Sequence, residues 1–162
     1  MAEIRRLVLI PVDFSEHSRA ALRRGLHLAR LLDHDVALIH VVDTTSFVPH
    51  GRGAEATLEV GHFTTKLRED AKKRLQTLAS EADPEMRTIR VLDVIEGRPW
   101  KVILSVAART TPELIVLGKR GGDAPEMGLG SVAERVVRGA SCDVLVVREQ
   151  PDAGPKPVGQ EH

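Results

Sequence analysis

The sequence predicts an α/β fold: a single doubly wound domain whose five-stranded parallel sheet, in the strand order 3-2-1-4-5, carries helices on both faces. Short apolar runs alternate along the chain with longer segments of helical periodicity. The runs are almost continuously apolar, which is typical of parallel strands buried on both faces. The 162 residues suit one domain, and no linker or internal repeat divides them. This alternation of strand and helix predicts right-handed crossovers.

The first half of the chain contains two predicted strands and two predicted helices. Residues 7–12 form the first strand, and Ser15 is the expected N-cap of the helix that follows. Residues 36–42 form the second strand. Residues 43 to about 61 lack periodicity and contain several glycines, which predicts a surface loop. A long helix is expected from about Phe63 until Pro84 closes it.

The second half repeats the pattern. Residues 87–95 alternate in part, which predicts a third strand near a sheet edge. A helix with Pro99 in its first turn precedes a fourth strand at residues 114–117. A fourth helix, expected to bury Val132, Val136 and Val137, leads to a fifth strand at residues 144–147. The predicted domain covers residues 1–149, and residues 150–162, rich in proline and glycine, are expected to form a disordered tail.

Composition excludes several classes of protein. Lys and Arg total 23, as do Asp and Glu, which argues against nucleic acid or an anionic membrane as a partner. Cys142 is the single cysteine, a small apolar filler, and a chain without disulfides suits the cytoplasm. The spacings of the seven histidines match no zinc signature. The residues form no credible pair of nucleophile and base, so no catalytic residue is predicted.

A ligand site is expected beyond the carboxyl ends of the strands, where the strand order reverses. Asp13 follows the first strand, and the second strand ends near Val41. The segment after the fourth strand, residues 118–131, contains five glycines and opens a helix. Glycine-rich backbone at a helix N-terminus favours phosphate groups, although such a loop also serves simply to turn the chain. Lys119 and Arg120 add charge and are compatible with either phosphate contact or exposure to solvent.

The glycine segment resembles the ATP-binding pattern of the universal stress protein family, which is Gly, two residues, Gly, nine residues, then Gly followed by Ser or Thr. Gly118, Gly121 and Gly130-Ser131 reproduce it with eight intervening residues instead of nine. The segments IPVDFS at 10–15, LIHVV at 38–42 and CDVLVVR at 142–148 are also similar to the family. The four ordered matches span about residues 5–148.

The resemblance implies a set of nucleotide-binding residues. Asp13 and Val41 would surround adenine and ribose with Val12 alongside, and Gly118 would approach the ribose. The phosphates would be held by the second group: Gly121, Gly130, Ser131 and Val132. The implied cofactor is ATP with Mg²⁺ or Mn²⁺. The glycine segment has one residue fewer than the pattern, so the way in which it would hold the phosphates differs from the pattern.

The resemblance favours an ATP-binding regulatory protein of the stress response that forms a homodimer through its fifth strand and acts on an unidentified protein partner. A slow ATPase or nucleotidyl-transferring enzyme is the second hypothesis, ranked lower because few acidic or basic groups adjoin the loop. A dimeric interaction module without nucleotide is the third. Fold analogy alone does not separate them.

Overall fold

The computed structural model describes residues 6–45, 54–120 and 128–149, with the backbone alone at 54–60. Five strands pair in parallel in the order β3-β2-β1-β4-β5, which confirms the predicted topology. The elements are β1 Leu7–Val12, α1 Glu16–Leu32, β2 Asp35–Val42, α2 Ala54–Ala82, β3 Ile89–Glu96, α3 Pro99–Thr110, β4 Leu114–Gly118, α4 Ser131–Gly139 and β5 Asp143–Val147. The expected tail lies outside the described residues.

Two apolar layers hold the helices to the sheet. Val8 and Ile10 of β1 belong to the layer beneath α1 and α2, whereas Leu9 belongs to the layer beneath α3 and α4. All three side chains are fully buried. Successive strand residues point to opposite faces, so a continuously apolar strand feeds both layers. The uninterrupted hydrophobicity of the first strand therefore reflects its central place in the sheet.

The predicted start of the second helix was wrong. The sequence indicated a loop up to about residue 61, but α2 begins at Ala54. Residues 54–60 (Ala-Glu-Ala-Thr-Leu-Glu-Val) include several strong helix formers, and a glycine inside a helix costs only about 1 kcal/mol relative to alanine. Gly61 is consequently an interior residue of α2 and does not mark a loop.

One predicted core position was also wrong. Val136 in α4 is fully buried, but Val137 is 45% exposed. Adjacent helical residues lie about 100° apart around the axis, so a helix of nine residues on one face of a sheet buries Ala133 and Val136 and leaves Val137 outside. Among the described residues, no helix combines the length and the hydrophobicity that crossing a bilayer requires.

A proline lies in the central strand, on the side that faces β4. The Arg6 carbonyl accepts from the Asp35 N–H towards β2, and the Leu7 carbonyl accepts from the Glu113 N–H towards β4, both at 2.9 Å. Peptide groups alternate in direction along a parallel strand, so Pro11, like Leu7, faces β4. Proline has no N–H to donate. The hydrogen-bonded pairing of β1 with β4 covers Val8 and Leu9 and ends before Pro11.

Candidate functional site

A pocket of about 410 Å³ lies at the carboxyl edge of the sheet, where β1 and β4 end. This volume lies within the usual range for small-molecule sites, roughly 300–1,000 Å³. The ends of β1, β2 and β4, the first turns of α1 and α3, and the start of α4 form its walls. The lining residues are Pro11, Val12, Asp13, Ser18, Val41, Pro99, Ile103, Leu117, Gly118, Arg120, Gly130, Ser131, Val132 and Ala133.

The fold brings most of the sequence-predicted site residues to this pocket. Seven of them line it, namely Val12, Asp13, Val41, Gly118, Gly130, Ser131 and Val132. Gly121, the eighth, lies outside the described residues. Sequence reasoning missed Pro99 and Ile103, which reach the pocket because α3 packs beside α4. For Arg120 the sequence left phosphate contact and solvent exposure open, and the structure places it in the lining.

Asp13 shapes the turn between β1 and α1. Its Oδ1 accepts hydrogen bonds from the Ser15 N–H at 3.0 Å and the Ser15 hydroxyl at 2.5 Å. Ser15 Oγ in turn accepts from the Ser18 N–H at 3.2 Å and serves as the predicted N-cap of α1. Asp13 therefore supports the start of α1 and also lines the pocket.

Gly118 allows β4 to approach the first turn of α1. A Cβ atom at this position would lie 2.8 Å from the His17 carbonyl carbon and 2.9 Å from the Ser18 nitrogen. Both are backbone atoms, and real Cβ contacts essentially never fall below 3.0 Å. Gly118 and Ser18 both line the pocket, so this close approach fixes the distance between β4 and α1 at the pocket.

The start of α4 provides the polar wall. Gly130 is the N-cap with an extended backbone (φ −65°, ψ 153°), and its N–H donates to the Lys119 carbonyl at 2.9 Å. In the described part of the chain, no side chain caps this helix. The first amides of a helix have no partner within the helix and carry partial positive charge. Ser131, Val132 and Ala133 therefore present a site suited to an anion at the pocket wall.

The described residues offer little for catalysis. Within residues 6–45, 54–120 and 128–149, no group of three or more His, Cys, Asp or Glu side chains is arranged to hold a metal ion. Burial, and secondarily the charge of Asp143, raises the pKa of the Cys142 thiol, so this cysteine is a poor nucleophile. It packs against the layer beneath α3 and α4, in agreement with its predicted role as a filler.

Comparisons with known proteins agree with this fold. A model of the Universal stress protein family matches residues 5–148. Universal stress protein MJ0531 of Methanocaldococcus jannaschii is 34% identical over 144 residues, which cover 88% of this chain and 81% of the relative. Universal stress protein YxiE of Bacillus subtilis is 34% identical over 152 residues, 87% of this chain and 97% of the relative.

Solved structures share the architecture. The structure of MJ0577, from Methanocaldococcus jannaschii, has a TM-score of 0.78 at 25% identity and covers 93% of this chain and 100% of its own. A universal stress protein from Archaeoglobus fulgidus, solved in complex with dAMP, has a TM-score of 0.57 at 22% identity, covering 88% of this chain and 97% of its own. A universal stress protein in complex with cAMP has a TM-score of 0.61 at 19% identity, covering 90% and 98%.

Proposed function

The chain belongs to the universal stress protein family, and from that premise we propose that it binds ATP in the pocket between β1 and β4 and acts as a regulatory homodimer. The observation that carries the proposal is the pairing, in one pocket, of an apolar wall with a helix N-terminus. ATP would act by binding one conformation of the protein more tightly than another. The proposal includes a cytoplasmic location, since a single cysteine requires no oxidising compartment.

The two walls of the pocket suit the two ends of a nucleotide. Val12, Val41 and Ile103 offer apolar contacts for a base. The first-turn amides of α4, with the Ser131 hydroxyl and the Arg120 guanidinium, suit phosphate oxygens. Asp13 lies at the end of β1, where its free acceptor capacity suits the hydroxyls of a ribose. The adenine nucleotides bound in two structural neighbours, cAMP and dAMP, support this class of ligand.

A divalent metal ion fits the proposal only as a companion of the nucleotide. The described residues contain no cluster of three metal-ligating side chains. Mg²⁺ is usually held by substrate phosphates, waters and one or two carboxylates, without a cage built wholly from protein. Among the described lining residues Asp13 supplies a carboxylate, and an ion that arrives with the triphosphate would also be held by phosphate oxygens.

The binding proposal is tested in two steps. Mass spectrometry of the small molecules released on denaturing the purified protein identifies any bound nucleotide. Titration calorimetry with ATP then compares the wild type with Ser131→Ala, for which we expect a loss of about 1–2 kcal/mol from one charge-assisted hydrogen bond. Gly130→Val should nearly abolish binding, because a branched side chain would occupy the wall beside the phosphates.

A matched control separates these effects from a general cost of the substitution. Gly130 has φ −65°, which valine adopts without strain, so Gly130→Val should leave the domain folded. Gly61→Val makes the same change on α2, where a Cβ meets nothing within 4 Å, and should bind ATP like the wild type. Unchanged ATP affinity in a folded Gly130→Val protein contradicts the assignment of the phosphate wall.

The proposed dimer rests on the edge strand β5. Val144, Leu145 and Val146 are partly exposed there, and an uncovered apolar edge strand promotes association unless something pairs with it. Antiparallel pairing of two β5 strands about a two-fold axis would satisfy both copies with one surface. The alternative is a monomer in which another segment of the chain covers this edge.

Sedimentation tests the dimer. We expect a species near twice 17.7 kDa, shifted towards monomer by Val146→Asp, because the substitution buries an unpaired charge at the interface. Val91→Asp is the matched control, since Val91 lies on the opposite edge strand β3 and is 46% exposed. A wild type that sediments as a monomer at micromolar concentration refutes the dimer. Equal dissociation of the two variants refutes β5 as its interface.

A further inference from the structure

The turn that carries Asp13 is supported from the opposite side of the sheet by a histidine. His40 lies on β2 in register with Val12, and its Nδ1 lies 2.8 Å from the Val12 carbonyl oxygen. A carbonyl only accepts, so this contact requires a proton on Nδ1. The bond joins two residues 28 positions apart in the sequence, at the last peptide group before Asp13.

The conformation of the turn is unusual for its residue type. Phe14 has φ +66°, and a bulky side chain at a positive φ is uncommon and strained. The Phe14 ring lies 4.4 Å from the His40 ring, centroid to centroid, and the Arg74 guanidinium of α2 stands 4.1 Å from the Phe14 centroid. A strained residue persists only where its surroundings hold it, and here a stack of Arg74, Phe14 and His40 supplies that support.

Phe14 and Asp13, adjacent in the sequence, face different parts of the structure. Phe14 packs against the apolar layer beneath α1 and α2, whereas Asp13, its neighbour, lines the pocket. The direction of Asp13 is therefore coupled to the position of the Phe14 ring. Burial is the main cause that lowers the pKa of His40, which favours the neutral imidazole, and a neutral imidazole with a proton on Nδ1 suits this hydrogen bond.

We propose that His40 is a positioning residue for the nucleotide site: its hydrogen bond to the Val12 carbonyl, backed by the stack with Phe14 and Arg74, holds Asp13 in the pocket. The inference rests on the proposed function in naming a nucleotide as the ligand. The fixing of the turn itself is a property of the protein without ligand. The substrate-facing groups remain those of the pocket, and His40 acts through them.

Two substitutions separate the hydrogen bond from the ring. His40→Phe keeps an aromatic ring beside Phe14 but removes the Nδ1 donor. His40→Asn removes the ring but keeps an N–H donor close to the position of Nδ1. A hydrogen bond that contributes typical net stability to a conformation predicts a loss of about five- to tenfold in ATP affinity for His40→Phe. His40→Asn should recover most of that affinity.

The test begins with the protein without nucleotide. Nitrogen NMR of the wild type should show the Nδ1–H tautomer of His40, and the Phe14 carbon shifts should report a positive φ. In His40→Phe these Phe14 shifts should move towards ordinary values, and in His40→Asn they should stay. Calorimetry with ATP on all three proteins then measures the fold-change in affinity.

The outcomes distinguish this inference from the proposed function. In one outcome the Phe14 shifts change in His40→Phe and stay in His40→Asn, but the wild type binds no nucleotide. This outcome supports the positioning role of His40 and refutes the ATP proposal. Wild-type ATP affinity in a folded His40→Phe protein overturns the inference and leaves the ATP proposal intact. An Nε2–H tautomer of His40 in the wild type also overturns it, since that tautomer has no proton to donate to Val12. Equal loss in both variants assigns the effect to the ring and overturns the hydrogen bond as its cause.

Discussion

Replacing Gly118 with alanine tests the geometry of the pocket wall directly. The added Cβ would lie 2.8 Å and 2.9 Å from the carbonyl carbon and oxygen of His17 and 2.9 Å from the Ser18 nitrogen. All three neighbours belong to the backbone of the first turn of α1. A flexible side chain could rotate away, but this turn is held by the Ser15 cap and by its packing on β4. Either the end of β4 or the start of α1 must therefore shift.

The size of the effect follows from this overlap. Relief to ordinary contact requires a displacement of several tenths of an ångström, and overpacking of this kind typically costs about 1–3 kcal/mol. Alanine also restricts the unfolded chain, which offsets about 0.4–1 kcal/mol of that cost. We expect a net loss of about 1–2 kcal/mol in the free energy of unfolding. For a chain of 162 residues this corresponds to a fall in Tm of about 2–8 °C.

The assay is thermal and urea unfolding of Gly118→Ala beside Gly61→Ala. Gly61 lies inside α2, where an added Cβ meets nothing within 4 Å. The same chemical change there should raise stability by about 0.5–1 kcal/mol, since alanine is the better helix former. If Gly118→Ala is as stable as the wild type, or gains as much as Gly61→Ala, the close approach of β4 to α1 is not a feature of the folded protein.

Three further predictions concern titratable groups. Asp83→Ala should lower the free energy of unfolding by about 3 kcal/mol, because buried Asp83 accepts hydrogen bonds from the Thr88 and Ile89 amides at 2.8 and 2.9 Å. Asp83→Asn should lower it less, and urea unfolding measures both variants. Burial alone would raise the pKa of Asp83, but these bonds and Arg30 lower it. Its contribution is thus complete above the unfolded pKa and disappears as pH falls through the lower folded value; a wild type and Asp83→Asn that lose stability in parallel below pH 4 would contradict this. The pKa of His40 is lowered, mainly by burial, so the unfolded state binds more protons and the free energy of unfolding should fall as pH drops through the ordinary histidine range. His40→Phe should lack this pH-dependent loss of stability. An identical pH profile in the wild type and the variant would refute the prediction. Asp13→Ala should lose about 1 kcal/mol of stability, because the hydrogen bond from the Ser15 N–H is removed, and it should also lose ATP affinity measured by calorimetry. A loss of stability with unchanged ATP affinity would show that Asp13 serves only the start of α1.

The fold was largely predictable because its central strands, β1, β2 and β4, are largely buried on both faces. Residues 7–12 and 36–42 read as strands from hydrophobicity alone, and the observed β1 and β2 match them within one residue. Topology then located the pocket, since ligand sites in doubly wound sheets follow from strand order. Asp13 was selected by its position at a strand end, and Gly130 by the resemblance of its segment to the family pattern.

What sequence reasoning missed depends on packing between distant segments. The start of α2 was misplaced because residues 54–60 have helical propensity without a regular apolar stripe. Ile103 reaches the pocket only once α3 has crossed back over the sheet. Gly118 was expected to approach the ribose, and the structure adds that the backbone of α1 lies against it, a contact that depends on the packing of β4 on α1. No local pattern signals the bond between His40 and Val12, because it spans two strands.

Pro11 connects the pairing of the central strands with the pocket that it lines. Valine or isoleucine at this position would be the better strand former and would supply an amide facing β4. A longer β1–β4 ladder would strengthen the centre of the sheet, but it would also change the strand end that lines the pocket. Stabilised variants selected only for resistance to heat should therefore accumulate substitutions away from this seam, at the amino edge and on the helices, if they are also to keep an open pocket.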